Sequence, residues 1–150
     1  MLTEVSAQII DVQESLVGPA APTSGTYTPT IAIDENGIVD NVGVHTYTIT
    51  DKVITVSGTA TLSPEQDASS FQIYVSLPGN SKAVVSSQTS PIGGCAGAGF
   101  QVNGNPIACA VQFWVDNVSE LPTLVFRAFD DENFNGNSGS VSYTFQTQIL

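Results

Sequence analysis

The sequence predicts a mainly β protein: an antiparallel, jelly-roll-like β-sandwich preceded by one short N-terminal α-helix. Three observations carry that prediction. The chain is 41% hydrophobic but only 11% charged, against about a quarter in ordinary soluble domains, so Ser, Thr, Asn, Gln and Gly must supply its polar surface. From Gly25 onward, apolar residues recur at every second position between Thr and Ser, the period of a half-buried strand. Gly, Asn, Asp and Pro punctuate those runs at short intervals with no helical pattern between them, which fits antiparallel strands rather than a parallel α/β fold. A chain of 150 residues is long enough for one domain with a single core.

The first stretch differs from the rest. Leu2, Val5, Ile9, Val12 and Leu16 follow alternating spacings of three and four, an a/d heptad seam, with Glu4, Gln8, Asp11, Gln13 and Glu14 on the polar face. Gly18-Pro19 ends the helix, because proline bars the preceding residue from helical geometry. Residues 1–18 are therefore read as an assembly and attachment helix, 19–24 as a stiff proline-containing linker, and 25–150 as the sandwich. So short a helix is marginal alone in water, and its seam needs a cover. The same helix of sister chains is one cover, favoured by the linker; the β domain of the same chain is the other. Ile10, beside the seam, widens the contact face for three strands or for docking on another protein.

The β elements follow in order. Residues 26–33 read as a first strand, with Tyr27, Ile31 and Ile33 on one face and Pro29 marking an edge. Residues 45–50 and 53–62 read as two strands joined at Asp51-Lys52, the second alternating Ile54, Val56, Ala60 and Leu62 with Thr and Ser. Phe71, Ile73, Val75 and Leu77 repeat the alternation until Pro78-Gly79-Asn80 stops it. Residues 83–87 read as a weaker strand. Asn103-Gly104-Asn105 reads as a hairpin turn between a glycine-rich arm and a strand over 107–115, in which Trp114 is expected to be a core residue. In the strand at 124–129, Leu124, Phe126 and Ala128 alternate with Val125, Arg127 and Phe129, so both faces read as partly covered, and 141–149 closes the chain.

Composition excludes several functions. Lys52, Lys82 and Arg127 face fourteen acidic residues, for a formal charge of -11, so phosphate-mediated nucleic-acid binding is not expected. No run approaches the roughly 18 apolar residues of a membrane span, and Glu4, Asp11 and Glu14 fall where a secretory signal needs apolar residues. Synthesis in a cytoplasm is expected.

The residues that could carry chemistry mostly have structural readings. His45 is the single histidine, read as a structural or surface residue since a lone His in a Ser-rich chain defines no triad. No nucleophile elbow, phosphate loop or dinucleotide fingerprint occurs. Cys95 and Cys109 have no cation nearby in sequence to lower their pKa; they read as two small buried residues, one in a turn and one in a strand, with a bridge across a hairpin as the alternative. Asp34-Glu35, Glu65/Asp67 and Asp130-Asp131-Glu132 read as solvated loop charges rather than a glycosidase pair. Asp131, Asn133 and Asn135, followed by Gly136, match the first half of a calcium-binding EF-hand loop, but the twelfth position is Ser142 instead of Glu. A hairpin loop uses the same residue types. No catalytic residue and no cofactor is expected, with calcium at these three positions as the one candidate.

Four segments occur in a familiar order: Gly25-Thr26-Tyr27-Thr28-Pro29-Thr30, the run from Tyr47 through Asp51-Lys52 to Val56-Ser57-Gly58, Val75-Ser76-Leu77-Pro78, and Ser142-Tyr143-Thr144-Phe145. Together they resemble a β-sandwich module of phage fibre, tail and head-fibre (decoration) proteins, over nearly all of 25–150. The chain departs from that pattern at Asp51-Lys52, where a glycine-containing turn is expected, and in its cysteine-containing middle. The resemblance implies a non-catalytic virion scaffold, trimeric, with a helical bundle at its attachment end holding other virion proteins. It also leaves a second class open: an adhesin whose loops around 103–105 and 130–137 recognise host-surface glycans.

Overall fold

The computed structural model describes residues 23–89, 91–129, 134 and 136–150. Leu2, Val5, Ile9, Val12 and Leu16, with the rest of the expected helix, lie outside the described residues, as do the calcium candidates Asp131, Asn133 and Asn135. Among the described residues the chain is mainly β and contains no helix.

The strands are β1 (Thr23–Tyr27), β2 (Ile31–Ile33), β3 (Gly37–Val42), β4 (His45–Thr50), β5 (Val53–Pro64), β6 (Ser70–Val75), β7 (Gly93–Val102), β8 (Asn105–Ile107), β9 (Cys109–Val115), β10 (Pro122–Ala128) and β11 (Gly139–Gln148). They form two antiparallel sheets. The larger runs β1-β4-β5-β11-β7-β8, with β3 pairing the second half of β5 in line with β4; the smaller runs β2-β6-β10-β9.

Period-two patterning places the core. Ile54, Val56, Ala60 and Leu62 of β5 and Val141, Tyr143 and Phe145 of β11 point inward from the larger sheet. Phe71, Ile73 and Val75 of β6 and Leu124 and Phe126 of β10 meet them from the smaller one, all in one buried cluster. Full burial of each Val, Leu, Ile or Phe among them stabilises the fold by about 1.5–3 kcal/mol. The centre is aromatic: Phe71 stacks on Phe126 with ring centroids 5.0 Å apart and meets Phe100 and Phe134 edge-on.

Several expectations are corrected. The expected strand over 26–33 is two strands in different sheets, broken at buried Pro29. Proline has no N–H for a ladder, and the break carries the chain from one sheet to the other. The corner is tied by Tyr27, whose hydroxyl donates to the Ser76 carbonyl at 2.9 Å, and by the Thr30 N–H, which donates to Ser76 Oγ at 2.8 Å. The expected strand over 107–115 divides in the same way at Ala108, into β8 and β9. Thr23 and Ser24, expected in the linker, pair with Ile49 and Thr48 in β1.

β3 was not expected. Its Gly37, Asp40 and Asn41 interrupt the alternation, and the register slips between Val39 and Asn41. Residues 83–87 do not form a strand: Ala83 makes one isolated bridge to Ile149, and Ser86 bonds the backbone of Val115 instead. The turns explain themselves. Asn103 and Gly104, at φ 51° and 79°, link Val102 to Asn105 by a two-residue hairpin loop, the geometry for which Asn-Gly is favoured. Asp51, at φ 57°, adopts the left-handed conformation that a glycine would otherwise supply, which aspartate tolerates better than most residues.

Candidate functional site

The strand registers give the domain two distinct ends. Thr23, where the chain enters β1, aligns with Ile49, which aligns with Ile54, then Thr147, then Gly93. The Asp51-Lys52 turn stands at this entry end, as do Lys82 and Leu150, whose backbones are hydrogen-bonded. The other end gathers Leu62, Gly139, the Asn103-Gly104 hairpin and the β5–β6 connection. Asp34, Glu35, Glu65 and Asp67 belong to this loop end, together with Asp40 of β3, whose carboxylate accepts from Ser63 and Ser138. Both lysines thus stand at the entry end, and these five carboxylates at the loop end.

The two loops expected to face a ligand are brought to the same end, since Ser140 aligns with Gln101 beside the hairpin. The second loop is also anchored. Phe134 is 3% exposed, packs edge-on against Phe71 and Phe100, and donates its N–H to the Ala68 carbonyl at 2.9 Å. Phe134 was hidden in the sequence among the Asp, Asn and Gly of a loop. A lone aromatic in such a segment was its only signal.

His45 opens β4 as expected and is wholly buried. It lies in a row across the sheet, with Tyr27 on β1 to one side and Gly58 and then Tyr143 to the other. Nδ1 lies 2.8 Å from the Gly43 carbonyl, and Nε2 faces the Tyr143 hydroxyl. A carbonyl only accepts, so Nδ1 carries the proton and Nε2 accepts from the tyrosine O–H. Burial holds the His45 pKa below its ordinary value, with the Gly43 bond opposing, and burial raises the phenols of Tyr27 and Tyr143. The cluster is therefore neutral and fully bonded, which suits a structural role.

That arrangement fixes a pH dependence. A buried neutral imidazole resists protonation, so on acidification the unfolded chain takes up the proton first. The contribution is complete above the ordinary histidine pKa of about 6.5 and declines below it, by at most about 1.4 kcal/mol per pH unit. Urea titrations at pH 7 and pH 5 are expected to show the folded protein weaker at pH 5. His45→Gln is expected to lose most of that difference; an unchanged difference in the variant would place its source elsewhere.

Cys95 and Cys109 are half-buried free thiols in β7 and β9, neither fully buried nor bridged. Cys95 lies in a strand, not a turn, at a bulge where Thr144 aligns with Gly97 and Phe145 with Cys95. Burial pushes both thiols up, which leaves them protonated and poorly nucleophilic at neutral pH. Trp114 is 8% exposed but stands outside the core cluster. Its cross-strand partner is Thr123, and it lines a shallow depression with Gln88, Asp116 and Asn117 on the outer side of the smaller sheet. Two of the polar groups there are already engaged: Asp116 accepts the N–H groups of Val118 and Ser119, and Gln88 donates to Gln112.

The outer face of the larger sheet is the most distinctive surface. β1, β4, β5, β7 and β11 contain no Asp, Glu, Lys or Arg. Cross-strand pairs such as Thr48–Thr55, Ser57–Thr144 and Thr59–Ser142 cover the face with hydroxyls. Ser57 and Thr144 bond at 2.7 Å beside Gly97, in a shallow hollow. No helix among the described residues is long and apolar enough to cross a membrane. Comparisons with protein-family models, curated proteins and solved structures find no match.

Proposed function

We propose that the chain is a non-catalytic structural protein of a phage virion: a small trimeric head-fibre, capsid-decoration or tail-fibre protein, assembled in the host cytoplasm. Residues 1–18 are its coiled-coil-like helix, joining sister copies through Leu2, Val5, Ile9, Val12 and Leu16 and docking on other virion proteins. Residues beyond them form a jelly-roll-like head. The observation that carries this function is the polarity of the domain. The chain enters at Thr23, and the Asn103-Gly104 hairpin, the Phe134-anchored loop and the β5–β6 connection gather at the opposite end. A stalk on one end and free loops on the other is what a fibre requires. The resemblance to phage fibre modules supports the same assignment, and so does the buried, fully bonded His45 with two thiols held protonated.

A second role, host attachment through surface glycans, is favoured by the convergence at the outer end of the 103–105 hairpin and the connection that holds Phe134, Gly136 and Asn137. Glycan-array binding that disappears when Asn103 and Asn105 are replaced by alanine would support it; no binding by the folded trimer would remove it.

Sedimentation equilibrium on the full chain tests the assembly. The expected mass is three times the 15.7 kDa of the single chain, and Ile9→Asp is expected to reduce it to monomer while the β domain melts as before. A full chain that stays monomeric at the highest attainable concentration contradicts the trimer.

A further inference from the structure

We infer that the outer face of the larger sheet, the hydroxyl-covered surface of β1, β4, β5, β11 and β7, is where a second copy of this chain packs. The inference rests on the trimeric assembly proposed above and names the surface it uses.

Charge distribution makes the first case. A chain of formal charge -11 repels its copies wherever carboxylates face each other. The acidic residues described in the domain lie in connections between strands, apart from Asp40 in β3, and the five strands of this face hold no charged residue. The outer face of the smaller sheet differs. Its Tyr74 lies in the field of Asp116, Asp34 and Glu35, which together with burial raises its phenol pKa, and Arg127 projects from β10. Copies can meet on these five strands without setting carboxylates against carboxylates; Asp40 of the adjoining β3, bonded to Ser63 and Ser138, stands at their margin.

Shape and size agree. A Cβ added at Gly94, Gly97 or Gly99 would meet nothing within 4 Å, so β7 offers a low, open strip for close approach. β5, β11 and β7 run 12, 10 and 10 residues. With β4 and β1 beside them, at about 4.8 Å between strands and 3.3 Å per residue, the flat face is on the order of 600 Å². Stable interfaces bury about 800 Å² per partner, so this face supplies most of one.

The chain's own path makes the third case. Residues 1–22 join the domain at Thr23, in β1, an edge strand of this same sheet. A shared N-terminal bundle therefore draws together the β1 edges of its members and the faces beside them. In the trimer proposed above such a contact is heterologous, this face of one copy against a different surface of the next.

The test adds charge without changing shape. Gln101 and Gln146 are exposed on this face, in β7 and β11. The full-length double variant Gln101→Glu, Gln146→Glu is compared with a control of equal charge, Gln66→Glu with Asn80→Asp, both exposed outside the strands. Sedimentation equilibrium should show dissociation shifted at least tenfold to higher concentration in the face variant. The control should match the unmodified chain, and both variants should melt as it does. An equal shift in the control, or none in the face variant, overturns the inference. If the unmodified chain trimerises and only Ile9→Asp dissociates it, the assembly stands and this surface does not. If the face variant dissociates and Ile9→Asp does not, the surface stands and the seam falls. A monomeric unmodified chain overturns both.

Discussion

Gly58→Ala is expected to destabilise the domain by at least about 3 kcal/mol, a large effect for one methyl group. A Cβ at this position would lie 2.2 Å from Cγ and Cδ2 of His45, far inside contact distance and against a ring with no room to yield. The imidazole must move, and its two partners stay behind. The Gly43 carbonyl and the Tyr143 hydroxyl lose their bonds in a buried site, at about 1–3 kcal/mol each, and overpacking adds about 1–3 kcal/mol. Urea unfolding measures the sum. A double variant, Gly58→Ala with His45→Ala, gives the sharper check, because removing the ring makes room for the methyl. The two costs should then fall short of additivity by at least about 1 kcal/mol, as contacting residues do. Simple additivity would mean that His45 does not lie over Gly58.

Phe71→Ala carries the second large effect, about 3–5 kcal/mol, the range for emptying a buried phenylalanine site. Phe71 is wholly buried and touches three other rings: Phe126 on the neighbouring strand, Phe100 on the opposite sheet, and Phe134 in the connection before β11. Its loss loosens the contact between sheets and the anchor of that connection together. Against a total stability that is typically about 5–15 kcal/mol, the variant should melt well below the original protein. Phe134→Ala should also destabilise, and the double variant should cost less than the two singles added, since the rings lie 4.9 Å apart. A Phe71→Ala protein that melts within a few degrees of the original would mean the core is centred elsewhere.

The β class and its inner face were legible because alternation is a direct physical record of burial. Ile54, Val56, Ala60 and Leu62 point inward as their spacing implies, and Asn103-Gly104 forms the turn its chemistry favours. What was not legible depends on partners distant in sequence. Alternation passes unchanged through Pro29 and Ala108, where the chain changes sheets, because both sheets face the same core. β3 carries Asp and Asn on a bulged strand and shows no clean period. Trp114 has the size of a core residue but stands on the far side of its strand, and the parity of a single strand does not say which side faces in. The depth of His45 is set by a glycine thirteen positions away, which no local pattern announces. The loops at the outer end were legible as loops; that two of them converge required the register.

Electron microscopy of purified phage particles labelled with antibody against this chain tests the central claim most directly. The particles should come from the host lysate in which the chain is made. Label should stand on the particle surface at fixed positions, and the chain should sediment with the particles after washing in high salt. A chain that stays in the supernatant while intact particles remain unlabelled would contradict a place in the virion.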